Sequence, residues 1–138
     1  MLDFEINVRN LVMQLIKDTP FELTTFQYDA EHFGNMVAIL DSQDISVRFI
    51  QDRSVSWCEL TVLSDKKWWP FEDILELLRI EANVPHQDFM ECMETAVGII
   101  GGNLIPLVDA FSDPQVIETK MRLKTIQEER VRQIFGKV

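Results

Sequence analysis

Over residues 3–18 apolar side chains recur at helical spacing, with Phe4, Val8, Leu11, Val12, Leu15 and Ile16 on one stripe and Asp3 at the N-cap position. This pattern predicts an opening amphipathic helix, ended by Thr19-Pro20. The period then falls to two. Phe21 and Leu23 alternate with polar neighbours, but Phe26 and Tyr28 continue on the opposite parity, which predicts a bulged or irregular first strand. Past the polar patch at 29–35, Met36-Val37-Ala38-Ile39-Leu40 is continuously apolar, as in a strand covered on both faces. Residues 41–44 turn the chain. Ile45, Val47 and Phe49 then alternate with Ser46 and Arg48, and residues 54–63 form another β-rich run around Val55, Trp57, Leu60 and Val62. Gln51-Asp52-Arg53 is too short for a parallel crossover, so the runs are expected to pair as an antiparallel β-meander of about four strands.

From Trp69 the helical period returns. Pro70 stands near N1, Glu72 and Asp73 fall in the first turn, and Phe71, Ile74, Leu75 and Leu78 form an i, i+3, i+4, i+7 stripe that Asn83-Val84-Pro85 is expected to break. Phe89, Met93, Ala96, Val97 and Ile100 mark a second helical face, ended or bent at Gly101-Gly102. A shorter apolar segment spans 104–111, with Pro106 as a candidate turn start. Asp113-Pro114 then opens a last helix to about Phe135, whose Ile117, Met121 and Ile134 are separated by many charges. So sparse a stripe suits a helix that is partly exposed, or one completed by a partner. Helix, meander, then C-terminal helices define an α+β class. The length of 138 residues fits a single domain covering 1–138.

Charge changes this picture most. The net charge is −10, and it is unevenly placed: residues 1–113 hold 20 acidic against 7 basic side chains, whereas 114–138 hold 3 against 6. An acidic body repels nucleic acid and anionic membrane and attracts a basic protein surface, although it also serves solubility alone. Lys120, Arg122, Lys124, Arg130 and Arg132 are interleaved with Glu118, Glu128 and Glu129 on one helix, too dilute a positive field to track phosphates. That segment reads as a self-paired solvated helix or one leaning on the acidic body. No stretch approaches the ~20 apolar residues of a bilayer span, and Met1-Leu2-Asp3-Phe4-Glu5 places acids where a secretory signal places Lys or Arg. A cytoplasmic location is the expectation.

Sequence motifs for catalysis are missing. The pattern contains no Gly-rich phosphate loop after a strand, no nucleophile elbow and no His pair at metal spacing. Cys58 and Cys92 are expected to be buried, reduced thiols, and His32 and His86 a loop residue and a first-turn residue. We therefore expect no cofactor, no metal and no enzyme activity. A small hydrolase would need a pocket with convergent polar groups.

Two features suit protein binding. Trp68 and Trp69 are adjacent, so in an extended segment they point in opposite directions. Either one is exposed as an anchor, or one covers the meander while the other packs on the following helix. The second feature is a set of loop acids, Asp41, Asp44 and Asp52, expected near the hairpin that also carries Arg53 and Glu59.

Phe33-Gly34-Asn35, the apolar strand after it, Ile45-Ser46-Val47-Arg48-Phe49-Ile50-Gln51-Asp52-Arg53 and Trp69 before Phe71-Glu72-Asp73-Ile74-Leu75 together resemble small bacterial immunity proteins. These occur with polymorphic toxins and contact-dependent growth inhibition systems. The likeness covers roughly residues 20–80. It leads to the expectation of Gly after Asp52-Arg53, where this chain has Ser54. It implies a non-catalytic protein, monomer or homodimer, that binds and neutralises a cognate toxin domain, often a nuclease with a basic cleft. The alternative is an acidic secretion chaperone or adaptor. Asp41, Asp44, Asp52 and Glu59 are the candidate steering residues, with Trp68 the candidate anchor.

Overall fold

The computed structural model describes residues 2–32, 34–43, 45–62, 67–112 and 115–135. Helix α1 (Leu2–Leu15) already includes Asp3, which is therefore a helical residue rather than the N-cap. Its stripe is narrower than the sequence pattern suggests. Val8, Val12 and Ile16 are buried at i, i+4, i+8 spacing, while Leu11 is exposed and Phe4 sits with its ring 5.2 Å from that of Tyr28. Four strands follow in sequence order, β1 (Glu22–Asp29), β2 (Asn35–Asp41), β3 (Ile45–Asp52) and β4 (Val55–Val62), and a two-residue strand β5 (Trp69–Pro70) pairs with β4. The fold is the expected α+β arrangement with a β1-β2-β3-β4-β5 meander. The parity change in β1 is a register shift between Leu23 and Thr25 against β2, which leaves Thr24 as the extra residue.

Strand β2 differs from expectation in one informative way. Its burial alternates, with Met36, Ala38 and Leu40 buried and Val37, Ile39 and Asp41 only half-buried, so the helices cover one face of this apolar strand rather than two. The inner set continues as Val47 and Phe49 on β3 and Cys58 and Leu60 on β4, all at or near zero exposure. It meets α1, α2 (Phe71–Leu78) and α3 (Phe89–Gly102), whose Ile74, Met93, Ala96 and Ile100 complete the core. Each fully buried side chain of this size contributes about 1.5–3 kcal/mol through apolar burial.

Turn geometry explains the chain reversals. The β3–β4 hairpin has a two-residue loop, Arg53-Ser54, with φ of 52° and 70°, the double positive φ of a type I′ turn that matches strand twist. The chain is lashed there to the β1–β2 turn. Asn35 Oδ1 accepts from the Arg53 N–H at 3.0 Å, and Gln51 Nε2 donates to the carbonyl of Gly34, itself at φ 68°. Helix α2 stops at Leu78, well before Asn83, because Arg79 turns left-handed at φ 57°. The N–H of Arg79 bonds the Glu76 carbonyl and that of Ile80 the Leu75 carbonyl, a Schellman closure. Neither Ser54 nor Arg79 is favoured at positive φ. Replacing either by glycine is expected to raise stability by about 0.5–1 kcal/mol, read as a shifted denaturation midpoint at unchanged slope.

The chain beyond α2 runs back along β4. Ser56 donates its N–H to the His86 carbonyl at 2.8 Å, and His86 Nδ1 lies 2.7 Å from the Ser56 carbonyl. His86 thus precedes α3 as a strand-edge partner instead of occupying its first turn; Asp88 is the N-cap, accepting from the Glu91 N–H. Gly101-Gly102 closes α3. Helix α4 (Leu104–Ala110), which contains Pro106, leaves at 81° to it. The last helix, α5 (Val116–Phe135), lies on α2; Asp113-Pro114, expected to open it, falls outside the described residues.

Candidate functional site

Period-two alternation in the meander creates a second face on the side away from the helices. The registers place Ile39 beside Arg48, Arg48 beside Glu59, Val37 beside Ile50, Ile50 beside Trp57, and Asp41 beside Ser46. Because Leu60 pairs with the inward Trp69, adjacent Trp68 turns outward: Trp69 is 3% exposed, whereas Trp68 is half-buried. The outer face therefore carries an apolar strip of Val37, Ile39, Ile50 and Trp57, with Trp68 at one border. No helix of the described residues lies over it.

Arg48 organises the centre of this face. Its guanidinium donates to Glu59 Oε1 through Nε at 2.9 Å and also through Nη2, and its Cζ stands 4.4 Å above the Trp68 ring. A planar cation held between a carboxylate and an indole loses little entropy when a partner covers it. With Arg48 and Glu59 only 29% and 20% exposed, the pair shields both charges from water and fixes the orientation of Trp68. Of the two arrangements left open for the tryptophans, the structure adopts the one in which both rings pack, with Trp68 retaining an accessible side.

The acids are distributed differently from expectation. Asp41 is level with Ser46 and Asp52 closes the far end of β3, so the two lie at opposite ends of the sheet, about 20 Å apart at strand spacing. Consecutive meander turns alternate ends, which is why the loop acids cannot form one row. Asp44 lies outside the described residues. Asp41 is also partly spoken for: Thr24 Oγ1 donates to its Oδ2 at 2.9 Å and Ser46 Oγ to its Oδ1. Asp52 is exposed, with Arg53 Nε 4.0 Å from its Oδ1. Glu22, level with Asp41 on the neighbouring strand, adds a further exposed acid to the same face. Of the sequence candidates, Glu59 and Trp68 come together through Arg48, and Asp41 and Asp52 mark two borders. Sequence reasoning missed Arg48, Ile50 and Trp57. The parity of the β3 and β4 alternation, with Arg48 and Glu59 both out of phase with the core set, was the signal that could have found them.

Other features offer less chemistry. A groove of about 730 Å³ is open to solvent and lined by Glu72, Glu76, Glu81 and His86 with Leu75, Ile80 and Val84. His86 spends its Nδ1 on the Ser56 carbonyl. His32 Nδ1 pairs with Asp29 at 2.6 Å on an exposed turn. Both cysteines are free and buried, and burial raises both thiols, Cys58 well above its usual value and Cys92 to about 11. Thiols held protonated are poor nucleophiles. Among the described residues no group of His, Cys, Asp and Glu is arranged to hold a metal ion, and no single helix is long and apolar enough to cross a membrane. In comparison with known proteins the chain matches no family model, and no curated protein or solved structure shows a significant match.

Proposed function

We propose that this chain is a non-catalytic immunity protein that binds and neutralises a cognate toxin domain through the outer face of its sheet. One observation carries the reading: an antiparallel sheet face that no helix of the described residues covers pairs a half-buried aromatic and aliphatic strip, Val37, Ile39, Ile50, Trp57 and Trp68, with Glu59 at its centre and Glu22, Asp41 and Asp52 at its ends. Aromatic anchors inside a charged rim are the usual anatomy of a protein-binding surface. The rim selects its partner by sign. With Glu59 neutralising Arg48, three acids, Glu22, Asp41 and Asp52, remain against Arg53 beside Asp52, an excess of negative charge that favours a protein with a basic face, as a toxin that cleaves nucleic acid presents around its active site. The resemblance of residues 20–80 to immunity proteins agrees with this reading, and its shared residues Gly34, Asn35, Gln51 and Arg53 act as fasteners of the two turns at one end of that sheet.

The test is co-expression with the product of the neighbouring upstream reading frame, scored by growth rescue and co-purification. Rescue is expected, and the double variant Trp57→Ala, Trp68→Ala should weaken binding by at least about 100-fold with an unchanged far-UV spectrum. Lysine at Glu22 and Asp52 should slow association and flatten its dependence on salt. Full rescue by the double tryptophan variant would remove the sheet face from the interface. Stabilisation of a secreted protein without relief of any toxicity would favour a chaperone instead.

A further inference from the structure

Helix α5 has two faces, and its own domain uses only one. Val116, Thr119, Lys120, Leu123, Ile126, Gln127 and Arg130 are its buried or half-buried residues and together form the side toward the body. Beside that face, about a third of the way round the helix, Ile117, Met121, Lys124, Glu128, Val131 and Phe135 recur at 4, 3, 4, 3, 4, the heptad spacing of a helix–helix seam. All six are exposed. Ile117, Met121 and Phe135 show 71%, 66% and 73% of their surface, too much apolar area on one short stripe to be accidental scatter.

The order of this stripe is self-complementary. Read from either end it runs apolar, apolar, charge, charge, apolar, apolar, and the two central charges are opposite. When one α5 is laid antiparallel on a second, Ile117 meets the partner's Phe135, Met121 meets the partner's Val131, and Lys124 meets the partner's Glu128, each contact occurring twice. The flanking Glu118 and Arg132 also come side by side across the seam. A parallel pair would set Lys124 against lysine and Glu128 against glutamate, so the same charges that favour one orientation oppose the other. We infer that α5 is a homodimerisation helix, pairing two copies of this chain antiparallel about a two-fold axis near Ile126. The interface is isologous, and at 20 residues the seam is about 30 Å long. Since α5 rests on α2, on the helical side of the sheet, the dimer leaves both outer sheet faces open.

Sedimentation of the full chain over a concentration series tests this. A monomer–dimer equilibrium is expected. Lys124→Glu or Glu128→Lys alone should each weaken dimerisation at least about tenfold, because each sets two pairs of like charges together. The double reversal Lys124→Glu, Glu128→Lys should restore it. Mixing the two single variants should give a heterodimer tighter than either homodimer, since every central pair is then opposite. All these positions are exposed, so the variants should remain folded. A wild-type chain that stays monomeric to its highest soluble concentration would overturn the proposal. So would a dimer indifferent to the single reversals, or one that the double reversal does not restore.

Discussion

Replacing Arg130 by alanine should cost about 3 kcal/mol at pH 7, a loss out of proportion to a side chain on a solvated terminal helix. The reason lies on α2. Asp73 is fully buried in that helix's first turn, and Arg130 Nη2 reaches its Oδ1 at 2.5 Å, with Glu76 a more distant second partner at 3.9 Å. The contact is an ion pair, and neither Asp73 oxygen has a well-aligned hydrogen-bond donor among the described residues. Burial raises the Asp73 carboxyl above its ordinary value of 3.8, and the nearby Arg130 charge opposes that rise. A carboxyl with a raised folded value contributes stability that is complete at low pH and is lost as pH climbs through that value. Removing Arg130 raises the value further, so the variant's deficit should be greatest at neutral pH and should shrink as acid protonates Asp73. Denaturation at several pH values reads this directly. Asp73→Asn in the alanine background should recover about 2 kcal/mol at pH 7, because a neutral amide does not carry the desolvation cost of an ion. A deficit equal at all pH values would mean that Arg130 acts only by packing.

This ion pair also shows where the sequence stops being legible. The charge asymmetry between body and tail pointed to a basic helix able to lean on acids. Which of the 23 acids would receive it depended on a contact 57 positions away in the chain, which no local pattern encodes. The meander was readable because alternation and short connections leave few topologies, and the bulge in β1 announced itself as a parity change. The coverage of β2 differs from expectation for a physical reason: a continuous apolar run is compatible with helices on both faces and with helices on one, and only the position of the helices separates the two. The candidate acids were misplaced by the same kind of gap. Loop acids can be counted from sequence, but alternate turns sit at opposite ends of a sheet. Arg48 and Glu59 were legible only as a register pair, and register needs the length of the hairpin loop, which is two residues centred on Arg53-Ser54 rather than the three of Gln51-Asp52-Arg53.

Leu123→Ala is expected to show how α5 is held. Leu123 is fully buried and Thr119 buried, and Thr119 Oγ1 donates to the Ala110 carbonyl, anchoring the helix start to α4. Truncating a leucine at zero exposure removes about 3 kcal/mol of packing, a large share of what fixes α5 to α2. Because α5 contacts chiefly α2, its release need not unfold the meander. Amide exchange should therefore accelerate by about 100-fold along 116–135, while Phe49 and its strand neighbours in β3 keep most of their protection. Such an opening also breaks the Arg130 contact and lets water reach Asp73, which relieves the cost of leaving that carboxylate unpaired. The losses from Leu123→Ala and Arg130→Ala should accordingly be less than additive, with a coupling of at least about 0.5 kcal/mol in a double-mutant cycle. Strict additivity, together with uniform acceleration of exchange in α5 and β3, would show instead that the last helix and the sheet unfold as one unit.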